Sequence, residues 1–196
     1  MPPDGRIPFL LIHYYFPPLT GAATHRIKNL IQFIGEESPF FPVSFTSSPY
    51  LLHWGYDPKT LEQIQNKTDI YYIQSLDPHY LISWLKHQRS QNQPSSGTNP
   101  TISRKSRLMT LYGTIRRIFV PCDDKILWLP FILRTFFKIR GKYDLQFIFA
   151  TFPPSANLLC AWAIHLISGL PLILDYRDRW NGNFQFQEGR PQIQCW

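Results

Sequence analysis

The sequence predicts a three-layer α/β/α domain built on a mostly parallel sheet, and three observations predict it. Toward the C-terminus an apolar strand pattern, an apolar helix pattern and a second strand pattern follow one another directly, in "YDLQFIFAT", "PPSANLLCAWAIHLISG" and "LPLILDY". Those strands are near-continuous apolar runs instead of alternating ones, as expected where helices cover both faces of a parallel sheet. Finally, 196 residues, 44% hydrophobic and 17% charged, suffice for one well-buried core and fall short of two.

Each element can be read in order. "IPFLLIHYY", residues 7 to 15, is β-rich and is ended by Pro17 and Pro18. After "LTGA", residues 24 to 34 place Ile27, Leu30, Ile31 and Ile34 at helical spacing. "PVSFTS" and "DIYYIQS" (residues 69 to 75) supply two more strands, with a short helix over Leu61 to Ile64 between them. Residues 88 to 101, "QRSQNQPSSGTNPT", carry almost no apolar side chains and read as an exposed loop inserted in one domain spanning residues 1 to 183. A basic amphipathic helix is expected over residues 103 to 119. A second is expected over residues 129 to 140, with Ile132, Leu133, Phe136 and Phe137 inward and Arg134, Lys138 and Arg140 outward. The later helix has Ser155 as a cap candidate and is closed by Gly169 and Pro171. The final strand, Leu172 to Leu174, reads as buried on both faces. Together these make a Rossmann-like fold, followed by an irregular tail at residues 184 to 196.

Charge and cysteine usage narrow the class of function. The formal net charge of +7 favours anionic partners. Cys122, Cys160 and Cys195 form no C-x-x-C pair, and the histidines show no ligand spacing, so no metal site is expected. A reduced, cytoplasmic setting fits that cysteine usage. No signal-peptide pattern opens the chain, and no apolar run reaches the roughly 20 residues of a membrane helix. The basic stretches suit an anionic lipid surface on the inner face of a membrane, or a plain solvated helix face; no nucleic-acid motif accompanies them.

In parallel sheets ligands bind beyond the carboxyl ends of the strands, and three such ends carry unusual sequence. The first is "YYFPPLTGAATHR", where Gly21 lets backbone approach a ligand and the next helix offers free N–H groups beside Ala22. Arg26 there suits a phosphate or a carboxylate, and equally an ordinary surface position. The second is "ATFPPS", where Thr151 and Ser155 suit a sugar hydroxyl and, more readily, helix capping. The third is "DYRDRWNGN": a strand runs straight into four charges in five positions, Asp175 to Arg179. Asp175 and Asp178 suit hydroxyl binding or acid–base work, and Arg177 suits a developing anion. A mutually paired Asp–Arg cluster packed under Trp180 fits the same residues. No G-x-G-x-x-G is present, so a dinucleotide fingerprint is missing.

With "YYFPPLTGAATHRIKNL", "PCDDKILWLPFILR" and "FATFPPSANLLCAWAIHLISGLPLILDYRDRWNGN" in this order, the chain resembles the N-terminal half of bacterial family 4 glycosyltransferases over roughly residues 7 to 183. The resemblance implies one half of a two-domain GT-B architecture. It implies transfer from a nucleotide-sugar co-substrate to a saccharide or lipid-linked acceptor, with no bound metal or other cofactor. This half would take the acceptor, and a C-terminal half, in the same chain or a separate one, would take the donor. Gly21, Ala22 and Arg26 would lie near the inter-domain cleft, with Thr151, Ser155, Asp175 and Trp180 on the substrate side. Arg177 and Asp178 stand where many relatives carry a functional histidine followed by aspartate, and are the catalytic candidates. The first loop has one glycine where relatives often have two or three. The chain stops at Trp196 before a donor-binding half, so the tail is expected to be truncated or frameshifted and the isolated chain inactive. A non-catalytic assembly module that pairs with a partner domain is the alternative expectation.

Overall fold

A computed structural model describes residues 5–48, 55–75 and 124–176. In chain order the elements are β1 (Ile7–Ile12), α1 (Ala22–Glu37), β2 (Phe40–Ser47), α2 (Pro58–Glu62) and β3 (Asp69–Ile73). A 3-10 turn (Asp124–Trp128), α3 (Leu129–Ile139), β4 (Ile148–Phe152), α4 (Ser155–Ser168) and β5 (Leu172–Tyr176) follow. The five strands form one sheet in the order β3-β2-β1-β4-β5, and every ladder is parallel. Strands from both sides of residues 76–123 therefore join the same sheet.

The period-two geometry of β1 divides the core. Phe9 and Leu11 face α1 and α2, packing with Ile27, Ile31 and Ile64. Leu10 and Ile12 face the opposite layer, where Trp128, Ile132, Phe136, Leu158 and Ile164 are buried. Each of these side chains contributes about 1.5–3 kcal/mol on full burial. With helices on both faces, this is the three-layer, Rossmann-like arrangement that the strand–helix–strand pattern predicts.

Several boundaries differ from the sequence reading, each for a local reason. The short helix begins at Pro58, earlier than expected, because Asp57 caps it, accepting from the Lys59 N–H at 3.1 Å while Pro58 supplies a preset first-turn φ. β4 is shorter than "YDLQFIFAT": Tyr143 and Leu145 are buried in the core, but ladder pairing begins only at Ile148. In α3, Phe137 is 49% exposed and Ile139 is buried instead, since the inward stripe runs Ile132, Phe136, Ile139 at spacings of four and three. α4 begins at Ser155 with Pro154 in the cap position, so Ser155 is the first helical residue and not the cap. Gly169 closes that helix as expected, in the left-handed conformation with φ 73°. The largest correction concerns β5. It pairs with β4 on one side only among the described residues, and Ile173 and Leu174 are 46% and 37% exposed, so it is not a strand buried on both faces. The expected loop at 88–101, the helix at 103–119 and the tail at 184–196 lie outside the described residues.

Candidate functional site

In this sheet β1 is followed by β2 on one side and flanked by β4 on the other, so the chain reverses direction of growth between β1 and β4. The carboxyl ends of adjacent strands feed loops to opposite faces there, which opens a crevice. A small open cleft occupies that point, lined by His13 beyond β1, Arg26 of α1, Thr151 and Phe152 of β4, Asn157 of α4 and Asp175 of β5.

The first loop reaches the cleft on a fixed path. The Tyr72 hydroxyl donates to the Pro17 carbonyl at 3.1 Å, the Asp57 N–H to the Pro18 carbonyl at 2.7 Å, and the Thr20 N–H to the Gly55 carbonyl at 2.9 Å. Burial pushes the Tyr72 phenol up to about 12, so it remains a donor. Gly21 then takes φ 145° and ψ 164°, a region open essentially to glycine alone, as the residue preceding α1. The single glycine of the turn is therefore required by the backbone itself.

Arg26 leaves the second turn of α1 and meets Asp175 of β5, its Nη2 donating to Oδ1 at 2.8 Å and Oδ2 at 2.6 Å. These residues are 149 apart in sequence, and the bond links the helix after β1 to the strand beyond β4. The guanidinium's carboxylate partner is the chain's own. Both side chains are partly solvated, so the pair stabilises by at most about 1 kcal/mol.

The same cleft is lined by two buried acceptors. His13 is 1% exposed, stacked on Phe16 with ring centroids 4.7 Å apart, and burial drives its pKa down to about 3, opposed in part by a bond to Tyr15. Its Nδ1 lies 3.2 Å from the Tyr15 carbonyl, which only accepts, so Nδ1 carries the proton and Nε2 presents a lone pair. Asn157, also 1% exposed, donates from Nδ2 to the Thr151 carbonyl at 2.8 Å, which fixes its Oδ1 as an acceptor. Among the described residues neither His13 Nε2 nor Asn157 Oδ1 has a hydrogen-bond partner. A buried acceptor left so costs about 1–3 kcal/mol.

Of the residues picked from sequence, the structure brings Arg26, Thr151 and Asp175 into the cleft wall. Gly21 and Ala22 lie just before it, shaping the entry of α1, and Ser155 is buried at the start of α4. Arg177, Asp178 and Trp180 lie outside the described residues. His13 and Asn157 were not singled out by sequence reasoning. The usable signals were a histidine directly beyond an apolar strand, and an asparagine in the first turn of an otherwise apolar helix.

Among the described residues no group of three His, Cys, Asp or Glu side chains is placed to hold a metal ion, and no helix is long and apolar enough to cross a membrane. Fold and cleft together define a Rossmann-like α/β/α domain with a small crevice at its switch point. Compared with known protein families and with curated proteins, the sequence finds no match.

Proposed function

We propose that this chain is the acceptor-binding half of a sugar transferase, working with a donor-binding half in the same protein or in a partner. The observation that carries the reading is the switch-point cleft, which gathers the ends of β1, β4 and β5, all of which lead into or fall within the first and last of the three segments that resemble family 4 glycosyltransferases. Its lining combines aromatic and apolar surface with a few fixed polar groups, the composition of a saccharide subsite. Catalysis in the complete enzyme would fall to Arg177 and Asp178, next along the chain from Asp175, with the nucleotide sugar as co-substrate. The acceptor is a saccharide, free or lipid-linked. In α3, the exposed Phe137 carries Arg140 over its ring at 5.9 Å with Arg134 and Lys138 nearby in sequence, a combination suited to the inner, anionic face of a membrane.

A second reading, an assembly module without catalysis of its own, draws on the exposed Ile173, Leu174 and Tyr176 of β5, apolar surface of the kind a partner α/β domain covers. One titration series tests both. Saturation-transfer NMR should detect saccharides bound to the chain, in solution or on anionic vesicles, while a nucleotide sugar added to the chain alone yields no transfer. Robust turnover by this chain alone, or failure of every saccharide to bind, sinks the leading reading; equal, weak sedimentation with neutral and anionic vesicles removes its membrane component.

A further inference from the structure

We propose that His13 and Asn157 form an acceptor pair that recognises hydroxyl groups on an uncharged, polyhydroxylated part of the ligand. The inference rests on the cleft being a saccharide site, and it assigns which chemistry the inner wall reads.

Its basis is that each group's orientation is already fixed by a carbonyl. Tyr15 holds the His13 proton on Nδ1, and Thr151 holds the Asn157 amide nitrogen, so the free atoms, Nε2 and Oδ1, can only accept. Both residues line the same cleft, and neither free atom has a partner among the described residues. Two lone pairs in the lining of one cleft repel phosphate and carboxylate oxygens and attract O–H groups. The imidazole stays neutral through the physiological range because its burial opposes protonation. The nearest cation in the cleft, Arg26, already has its own carboxylate at Asp175. The charged parts of a substrate are thus directed elsewhere, and the inner wall discriminates by hydroxyl pattern, the kind of contact whose loss is felt strongly because a buried acceptor is left unpaired. Neither acceptor is in contact with bulk solvent, so a ligand reaches the pair only as the lining of the cleft, which includes the Arg26–Asp175 bridge, gives way.

The test uses the full chain labelled with ¹⁵N-histidine and titrated separately with methyl glucoside, methyl mannoside, N-acetylglucosamine, myo-inositol and inorganic phosphate. A bound sugar should shift the unprotonated Nε2 resonance of His13 while Nδ1 stays protonated, and phosphate should leave both unchanged. His13→Phe, which keeps the ring stack on Phe16, and Asn157→Leu should each weaken that sugar by roughly three- to tenfold. The wild-type resonance carries the test even where a variant fails to fold. Sugar binding with Nε2 unmoved overturns the acceptor pair but leaves the saccharide reading standing. Inositol alone binding and shifting Nε2 supports the pair and counts against the saccharide reading. Phosphate binding that protonates Nε2, or no response to any of the five, overturns the pair.

Discussion

Two partly buried polar clusters, one at each end of the sheet, are built on opposite plans. At the start of β3 a directional chain runs from the Lys142 ammonium to the Tyr71 hydroxyl at 3.2 Å, from Tyr71 to the Tyr143 hydroxyl at 2.9 Å, and from Tyr143 to the Asp69 carboxylate. Each hydroxyl in it donates to an acceptor, and the chain ends on a charge. In the cleft, His13 spends its one N–H and Asn157 one of its two on a nearby carbonyl, and each leaves an acceptor without a partner among the described residues. A closed chain clamps elements together, here β3 to a segment 74 residues away. An open pair lowers the stability of the fold, and it makes sense where a ligand completes it.

Breaking the closed chain should have the largest effect on stability. Tyr143→Phe removes a bond to a carboxylate and the partner of Tyr71 together, so unfolding free energy should drop by about 3 kcal/mol, the upper end for a hydrogen bond to a charged group. Urea denaturation at neutral pH measures it. If the cleft takes a saccharide as proposed, the same variant should leave that binding unchanged. A drop below about 0.5 kcal/mol would mean that the chain is not a clamp.

The clusters should also fail at opposite ends of the pH scale. Burial, aided by the Asp69 and Tyr71 hydrogen bonds, raises the Tyr143 phenol above its ordinary value. A raised folded pKa gives stability that is complete below the unfolded value, about 10, and is lost as pH climbs beyond it. His13 is the reverse case. Its folded pKa of about 3 lies below the unfolded 6.5, so its contribution is complete above 6.5 and declines as pH falls toward 3. At about 1.4 kcal/mol per pH unit, the loss attributable to His13 at pH 5 is about 2 kcal/mol. His13→Phe should remove that acid component, and at pH 7 it should be neutral or stabilising, since it deletes an unpartnered acceptor along with one weak bond. If denaturation midpoints of wild type and variant stay parallel from pH 7 to pH 5, His13 is not the buried neutral group described.

What sequence could and could not reveal follows the same division. The three-layer class was legible because it rests on periodicity: Ile27, Leu30, Ile31 and Ile34 at helical spacing, and an apolar strand on either side of an apolar helix. The convergence of Arg26, Thr151 and Asp175 was legible because strand order places carboxyl ends together. Partnerships were not. Nothing local pairs Tyr143 with Asp69, or decides that Arg26 finds Asp175 across 149 residues in preference to a ligand. The exposure of Leu174 and Phe137 escaped because apolar runs report hydrophobicity, and burial depends on which neighbour is present. His13 escaped because a strand-end histidine looks the same whether its second nitrogen is satisfied or free.

The smallest effect should come from the Arg26–Asp175 bridge in the cleft lining. Arg26 keeps 48% of its side chain exposed and Asp175 23%, so solvent screens most of the attraction between them. Arg26→Ala should lower stability by less than about 1 kcal/mol, and the gap from wild type should shrink as salt is raised from about 0.05 M to 1 M. If the cleft takes a saccharide as proposed and the bridge stands in its path, the same variant should let sugars enter faster without altering which hydroxyls are preferred, because the two acceptors are untouched. A salt-independent loss of more than about 2 kcal/mol would place Arg26–Asp175 with the Asp69 chain as a clamp. The cleft would then be closed by construction, and the difference between the two ends of the sheet would shrink to His13 and Asn157 alone.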